Sequence, residues 1–248
     1  MARKRKNRHR RHRFGFLYRV MTVLAISAVI VVALTLFFKA DNLEVEGNSR
    51  YTEQEILDAS GISPGDNLFL LNRAAASQRL TEALPYLEAV RIRITLPDTL
   101  RIEVTECTST FAIPQEGTVW VMSSGGKLVG TAGGTEDMPV IDGCELLAPS
   151  VGSRIAMASE FRSRQDSLLS LLSALEAAGT VDQVNAIHLS DPAVLVMDYA
   201  GRFAVEMPYG ADYAKMLRFV SEAMSRLESN ETGIIDLTIE GEAHVRQS

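Results

Sequence analysis

One apolar segment near the N-terminus constrains the topology of the whole chain. Residues 20–38 read VMTVLAISAVIVVALTLFF and contain no charged side chain. A helix of that length rises about 28 Å, close to the roughly 30 Å hydrocarbon core of a bilayer. A cleaved signal peptide has a shorter apolar region followed by small residues, whereas Leu36, Phe37 and Phe38 end this one. The sequence therefore predicts an uncleaved signal-anchor at 20–38 that spans a lipid bilayer.

Charge is distributed unevenly on the two sides of this anchor. Nine Lys and Arg and no Asp or Glu precede residue 20. Positive charge marks the cytoplasmic side of a membrane span, so residues 1–19 are expected to be a cytoplasmic tail. A tail this charged and this poor in apolar residues is predicted to be disordered. It would also suit anionic lipid or nucleic acid, but orienting the anchor is the favoured explanation of its charge.

The remainder, residues 39–248, is then extracytoplasmic and strongly acidic. It carries sixteen Lys and Arg against 31 Asp and Glu, a net charge of −15. That charge argues against a nucleic-acid partner and fits a solvated surface that meets selected proteins. Its two cysteines, Cys107 and Cys144, would form a disulfide only if their Cα atoms came within about 7 Å. The sequence leaves their pairing open.

The first module outside the anchor is predicted to run strand, helix, helix, strand, strand. Residues 42–46 favour a strand, and Thr52 with Glu55 forms a capping box for a helix that Gly61 ends. Asn72 is a candidate cap for a second helix, which ends before Pro85. Apolar and polar residues then alternate on both sides of Pro97-Asp98 over residues 90–106, which is typical of a hairpin.

The charges of this hairpin suggest its register. If Leu96 pairs with Leu100, Arg93 lies opposite Glu103, which is favourable. A register shifted by two residues places Arg93 opposite Arg101, which is unfavourable. We therefore predict the pairing of Leu96 with Leu100.

Residues 108–240 are predicted to form a second, mixed module. Two amphipathic helices are expected, one within residues 159–178 and one over 212–227, and the second presents one apolar stripe. Seven short strands are expected at 110–113, 118–123, 127–131, 184–189, 194–198, 202–207 and 233–240. Residues 241–248 are expected to be a C-terminal tail. The fold class is thus α+β: one transmembrane helix, a β-α-α-β-β module, and a mixed β-sheet module with two packed helices.

The sequence contains no convincing catalytic or metal-binding motif. Ser124 and Lys127 match the S-x-x-K nucleophile motif, but the two glycines between them indicate a hairpin turn rather than the required helix. His188 falls in a predicted strand and His244 in the tail, and neither has a partner at a zinc-ligand spacing. We expect no enzyme activity, no cofactor, no metal and no small-molecule substrate.

Several weak motifs occur in a characteristic order. The first module contains LEVEGN at 43–48, YT at 51–52, GI at 61–62, GDNL at 65–68, and LPDTLRI at 96–102 with Val104 and Glu106. The second contains MPVIDG at 138–143, GR at 201–202, KML at 215–217 and GIIDL at 233–237. Together they resemble the bacterial cell-division FtsQ family, called DivIB in Gram-positive bacteria. The resemblance implies a POTRA domain (polypeptide-transport-associated domain) at 39–107 and an FtsQ-type β domain at 108–240.

The resemblance also implies a function. Such proteins are non-enzymatic bitopic scaffolds of the divisome at the septum. They bind FtsL-like and FtsB/DivIC-like bitopic partners outside the membrane, and septal peptidoglycan synthases are further candidate partners. The family implies that a partner adds a strand to the last strand of the β domain, an open edge. In this chain that site is Ile234, Ile235, Asp236, Leu237, Thr238 and Ile239. An interior strand, already paired on both sides, is the alternative.

Two other classes of protein remain as alternatives. POTRA modules also occur in export or assembly components, where they stand in tandem before a β-barrel, and this chain has one module and no barrel-length series of strands. A membrane-anchored cell-wall enzyme is the other alternative, since scattered carboxylates do not exclude a catalytic pair.

Overall fold

A computed structural model describes residues 11–247, except residues 137, 229 and 240–242. The first ten residues of the predicted disordered tail lie outside this range. Helix α1 spans Arg11–Phe37, and its segment Leu17–Thr35 is long and apolar enough to cross a membrane. The helix begins nine residues before the predicted anchor, so residues 11–19 are helical rather than disordered. Once the apolar segment has formed a helix, each added residue needs no new nucleus, which favours this extension.

The first module has the predicted order of elements. Its sheet has the strand order β1-β3-β2, with β1 parallel to β3 and β2 antiparallel to it. Apolar side chains of the two helices and the sheet form one buried core. The elements are β1 (Asn42–Glu46), α2 (Glu53–Ser60), α3 (Arg73–Ala83), β2 (Leu87–Thr95) and β3 (Thr99–Glu106).

The predicted helix caps of this module are confirmed. Thr52 caps α2 in a reciprocal capping box with Glu55, and Gly61 closes the helix with φ of 66°. Asn72 caps α3 by accepting a hydrogen bond from the backbone N–H of Ala75. These caps satisfy N–H groups that a helix end otherwise leaves unpaired.

The predicted register of the β2–β3 hairpin is wrong. Ile94, not Leu96, pairs with Leu100, and Arg93 therefore lies directly opposite Arg101. The loop at residues 96–98 is correspondingly short, because Thr95 and Thr99 already form the last pair of the ladder.

Carboxylates on both sides of the hairpin explain why the like charges are tolerated. Arg93 reaches diagonally to Glu103, with 3.1 Å between Nε and Oε1. Arg101 turns the other way, to Glu44 at 2.8 Å and Glu46 at 3.1 Å on β1. The predicted register was based on the charges of β2 and β3 alone, whereas the parallel strand β1 supplies the partners of Arg101.

The carboxylate of Glu106, at the end of β3, anchors the loop that follows β1. It accepts hydrogen bonds from the backbone N–H groups of Ser49, Arg50 and Tyr51 at 2.9, 2.7 and 3.1 Å, and from the Ser49 hydroxyl. Burial alone would raise the pKa of Glu106, but these hydrogen bonds to the charged form outweigh burial and lower it.

The second module is built on one mixed sheet of nine strands in the described part of the chain. Their order is β12-β11-β10-β9-β8-β7-β4-β5-β6. The strands are β4 (Thr110–Gln115), β5 (Thr118–Ser123), β6 (Leu128–Ala132), β7 (Val140–Asp142), β8 (Val184–His188), β9 (Val194–Tyr199), β10 (Phe203–Pro208), β11 (Gly233–Asp236) and β12 (His244–Gln247). Neither β7 nor β12 was predicted, because three or four residues are too few to show a period.

Two helices cover one face of this sheet. They are α4 (Arg162–Ala178) and α5 (Tyr213–Arg226), which pack on each other and share a core with the strands. Burial alternates along β9 and β10, so the other face of the sheet is more exposed. The predicted α+β architecture is therefore confirmed.

Candidate partner-binding site

The predicted site lies at one end of the nine-stranded sheet. The expected strand at 233–240 is shorter than predicted: β11 ends at Asp236, and residue 240 lies outside the described residues. The strand β12 pairs antiparallel with the outer side of β11, with Ile234 opposite Arg246 and Ile235 opposite Val245. The expectation that this strand is an open edge is thus wrong, and β12 is the outermost strand of the described sheet at this end.

Charged side chains hold β12 in place. Arg246 donates to Glu206 on β10 at 3.1 Å and to Asp236 on β11 at 3.4 Å. The guanidinium therefore reaches across two strands. Residues 243–246 are nevertheless exposed, so β12 contributes little buried apolar surface.

The six predicted site residues divide into three groups. The side chains of Ile235 and Leu237 are buried, at 0% and 3% exposure, and belong to the core. Ile234 and Asp236 are half-buried on the opposite face of β11. Thr238 and Ile239 lie beyond the strand and are exposed.

The backbone of this segment faces both neighbouring strands. The Leu237 N–H donates inward to the Glu206 carbonyl at 2.9 Å. The N–H and C=O groups of successive residues in a strand point to opposite sides. Those of Ile234 and Asp236 therefore point outward, to β12. The Thr238 N–H is already bonded to the Asp236 side chain at 2.9 Å. Hydrogen bonds from the hydroxyl and the backbone of Thr238 lower the pKa of Asp236.

A cleft adjoins the end of β11. It has a volume of about 430 Å³ and lies between the start of α5 and the segment that follows the strand. Its apolar lining includes Tyr209, Met216, Phe219, Leu237 and Ile239. A smaller cleft continues along α5 to β12, lined by Phe219, Ala223, Leu227, Ala243 and Val245 among others.

The helix side of these clefts was not predicted from the sequence. The single apolar stripe predicted for this helix begins at Tyr213 and Leu217, both of which are buried. A second apolar series, Met216, Phe219 and Ala223, follows the same helical spacing and is only partly buried. That spacing was a usable signal for a second apolar face.

The S-x-x-K motif does not form a catalytic pair. The Ser124 hydroxyl donates to a Glu176 carboxylate oxygen at 2.8 Å. The Lys127 ammonium donates to the backbone carbonyls of Thr81 and Leu87, at 3.0 and 3.1 Å. Burial lowers the pKa of Lys127. This lysine thus joins the second module to the first.

His188 lies on the more exposed face of the second sheet between two carboxylates. Its Nδ1 is 2.9 Å from both Asp142 oxygens, and its Nε2 is 3.2 Å from Asp198. Partial burial opposes protonation, but hydrogen bonds with the two aspartates outweigh it and raise the pKa of His188. No group of three His, Cys, Asp or Glu suited to a metal ion occurs among the described residues.

The two cysteines carry free thiols. Cys107 lies 3.4 Å from a Glu88 carboxylate oxygen, and Cys144 packs against the core of the second module. Burial raises the pKa of each thiol to about 11. Thiols with such values are poor nucleophiles at neutral pH.

A helix long enough to cross a membrane precedes a β-α-α-β-β module and a larger sheet, an arrangement that fits a membrane-anchored protein of the POTRA class. A profile for the POTRA domain of the FtsQ type matches residues 38–106. The chain is 28% identical to the cell division protein FtsQ of Syntrophotalea carbinolica, over 92% of this chain and 82% of the relative. It is 24% identical to the cell division protein DivIB of Clostridium botulinum strain Hall, over 90% and 87%. With FtsQ of Corynebacterium glutamicum it shares 28% identity over 66% of this chain and 73% of that protein. The profile and these relatives, two of which align with nine-tenths or more of the chain, support membership of the FtsQ/DivIB family of cell division proteins.

Proposed function

We propose that this protein is a non-enzymatic, single-span scaffold of the bacterial division machinery at the septum. Helix α1 holds it in the cell membrane, with the basic N-terminus in the cytoplasm and residues 39–248 outside. The charge asymmetry supports this orientation, and family membership supports the role in division. The partners are bitopic proteins of the FtsL and FtsB/DivIC types, and through them the scaffold supports septal peptidoglycan synthases.

We infer that the partner binds at residues 234–239 by strand addition. The observation that carries this inference is the outer end of the nine-stranded sheet. There the single four-residue strand β12, whose residues 244–246 are exposed, covers the outward backbone groups of β11. In the proposed complex the partner strand takes the place of β12 beside β11. Main-chain hydrogen bonds then provide affinity, and neighbouring clefts provide specificity.

The contacts of β12 make this exchange feasible. Arg246 forms exposed ion pairs, and such pairs contribute only about 0–1 kcal/mol each. A partner strand with apolar side chains would gain more, because it can bury them beside Met216, Phe219 and Ile239. Burial of apolar surface contributes roughly 25 cal/mol per Å².

The test is co-purification of the full-length protein with tagged FtsL-like and FtsB/DivIC-like proteins from the same bacterium. Ile234→Pro removes an outward-facing N–H, and Ile239→Asp places a charge in the cleft. Both should reduce partner recovery by about tenfold or more, as expected for about 1.4 kcal/mol or more of binding energy. Val151→Asp changes a similarly exposed apolar residue elsewhere, 51% exposed against 53% for Ile239, and should leave recovery unchanged.

A truncation distinguishes exchange from simple addition. A chain ending at residue 242 lacks β12, so partner recovery should increase if the partner replaces this strand. Recovery would fall if the partner instead pairs with the outer side of β12. Undiminished recovery by both Ile234→Pro and Ile239→Asp, with circular dichroism showing folded protein, would refute the site. Hydrolysis or transfer on peptidoglycan by the purified protein would contradict the non-enzymatic role.

A further inference from the structure

Four large apolar side chains are exposed where α1 meets the first module. Phe37 ends α1, Phe69 and Leu70 lie in the loop before α3, and Leu96 lies at the tip of the β2–β3 hairpin. Their exposed fractions are 77%, 54%, 75% and 55%. We call these four residues the collar patch. Such a concentration of exposed apolar side chains marks an interaction surface.

The loop that carries Phe69 is bonded directly to the end of α1. The Asn67 amide donates to the carbonyls of Leu34 and Thr35, at 3.0 and 3.2 Å. These carbonyls lie in the last turn of the helix, where acceptors lack an intrahelical partner. The Leu68 N–H donates to the Phe38 carbonyl at 3.0 Å.

Further contacts continue this joint beyond the helix. The rings of Phe38 and Phe69 pack edge to face with centroids 5.1 Å apart. The Ala40 N–H donates to Asp66, and the Gly65 N–H donates to Ala40, at 2.7 and 2.9 Å. The first module is therefore bonded to the end of α1 by several contacts, in addition to the covalent chain that connects them.

The hairpin tip reaches along the side of α1. Pro97 lines one apolar cleft with Ile30, Ala33, Leu34 and Phe37 of the last turns of the helix and with Phe38 after it. The apolar stretch that can cross a membrane ends at Thr35. At 1.5 Å per residue, Ile30 lies about 7 Å inside that end. Once α1 spans the bilayer, the tip therefore stands at the level of the outer lipid interface.

The charges near the collar patch indicate whether electrostatic attraction to lipid headgroups could hold it at a membrane. Lys39 follows Phe38 and Arg73 begins α3, whereas Asp66 precedes the loop and the Asp41 backbone bonds to that of Asp98 at the hairpin tip. Two cations and three carboxylates give no attraction to anionic headgroups. Burial of apolar side chains, rather than charge, would drive the contact.

We propose that the collar patch inserts into the boundary between headgroups and acyl chains on the outer face of the membrane that α1 spans. The first module is then held at a fixed tilt on the bilayer surface by three separate segments. Because Lys127 bonds the second module to Thr81 and Leu87, the same contact orients the nine-stranded sheet. This inference is independent of which partner binds there.

The test uses tryptophan fluorescence of the full chain in lipid vesicles. Trp120 is the single tryptophan, so Trp120→Phe gives a silent background for Leu70→Trp or Leu96→Trp. The protein is reconstituted in phosphatidylcholine vesicles with and without lipid brominated near the headgroup end of the acyl chains. Leu147→Trp, in the second module where Leu147 is 51% exposed, is the matched control.

We expect both collar variants to emit at shorter wavelength than the control and to lose more than about half of their intensity in brominated vesicles. An interfacial side chain buried about 5–10 Å deep lies within contact range of the bromine atoms. Equal emission and quenching for Leu70→Trp, Leu96→Trp and Leu147→Trp would overturn the proposal. A blue shift without quenching would also overturn it, since protein rather than lipid would then cover the patch. No partner is present, so failure of the proposed partner site leaves this result unaffected.

Discussion

The outermost strands at the two ends of the nine-stranded sheet differ in how their outer edges are covered. At the β6 end, a loop covers the outer backbone: Leu128 bonds to Ser153 and Gly152, at 2.8 and 2.7 Å, and the Ile155 N–H donates to Gly126 at 2.8 Å. At the other end, β12 is the last strand of the described sheet, and its residues 244–246 are exposed. An uncovered strand edge favours pairing with another chain, so the difference identifies the β12 end as the candidate docking end.

The covered end also carries the junction between the two modules. Lys127, which precedes β6, donates to two carbonyls of the first module. Ser123, at the end of β5, donates to Glu88 on β2 at 3.0 Å. One end of the sheet thus joins parts of the same chain, and the proposed docking site lies at the other end.

The largest expected difference in stability is between a substitution just after β11 and a substitution on β12. Leu237→Ala removes a side chain that is 3% exposed and belongs to the core, and should lower the free energy of unfolding by about 2–5 kcal/mol. Val245→Ala on β12, where the side chain is 37% exposed, should change it by less than about 0.5 kcal/mol. Urea unfolding of the full-length variants measures both. Similar losses of stability would show that β12 contributes as much to the core as the segment that follows β11.

A smaller effect is expected at the covered end. Lys127→Ala leaves the Thr81 and Leu87 carbonyls without their donor and should lower the free energy of unfolding by about 1–3 kcal/mol. Lys215→Ala, beside the cleft at the opposite end, is the matched control and should have an effect below about 0.5 kcal/mol. Thermal unfolding gives the comparison, and equal effects would contradict the assignment of Lys127 to the junction.

The free energy of unfolding is expected to depend on pH because of His188 on β8, in the middle of the sheet. The pKa of His188 is raised above its ordinary value of 6.5, so the charged form is stabilised in the folded protein. This contribution is fully present below about pH 6.5 and disappears as the pH rises through the higher folded pKa. Unfolding curves should show the loss in the wild type and not in His188→Gln. Equal pH slopes above pH 6.5 for the two proteins would remove His188 as the cause.

The smallest effect is expected for Arg246→Ala. Its exposed ion pairs with Glu206 and Asp236 should contribute about 0–1 kcal/mol. The change should appear mainly as faster amide hydrogen exchange in β12, with exchange in β6 unaffected. High salt should produce part of the same change in the wild type, because it screens exposed pairs. Equal acceleration at both strands would mean that the two ends are not independent.

Much of the fold followed from local patterns. Periodicity and length predicted the apolar helix. Thr52, Glu55 and Gly61 correctly placed both ends of α2, and Asn72 correctly placed the start of α3. The predicted hairpin at 90–106 also exists, although its register is different. These features depend on neighbours within a few residues, so the sequence alone contains the information that specifies them.

The candidate site depended on contacts distant in sequence. Arg101 tolerates Arg93 because β1 brings Glu44 to it, and β11 is covered because the tail returns to it. The cleft beside Ile239 exists because α5 passes close to the end of β11. The sequence thus determined the membrane helix, the order of the elements and their apolar faces. Tertiary structure alone decided which strand lies outermost and which loops lie beside the end of α1, because pairing and close approach between remote segments leave no periodic trace in either segment.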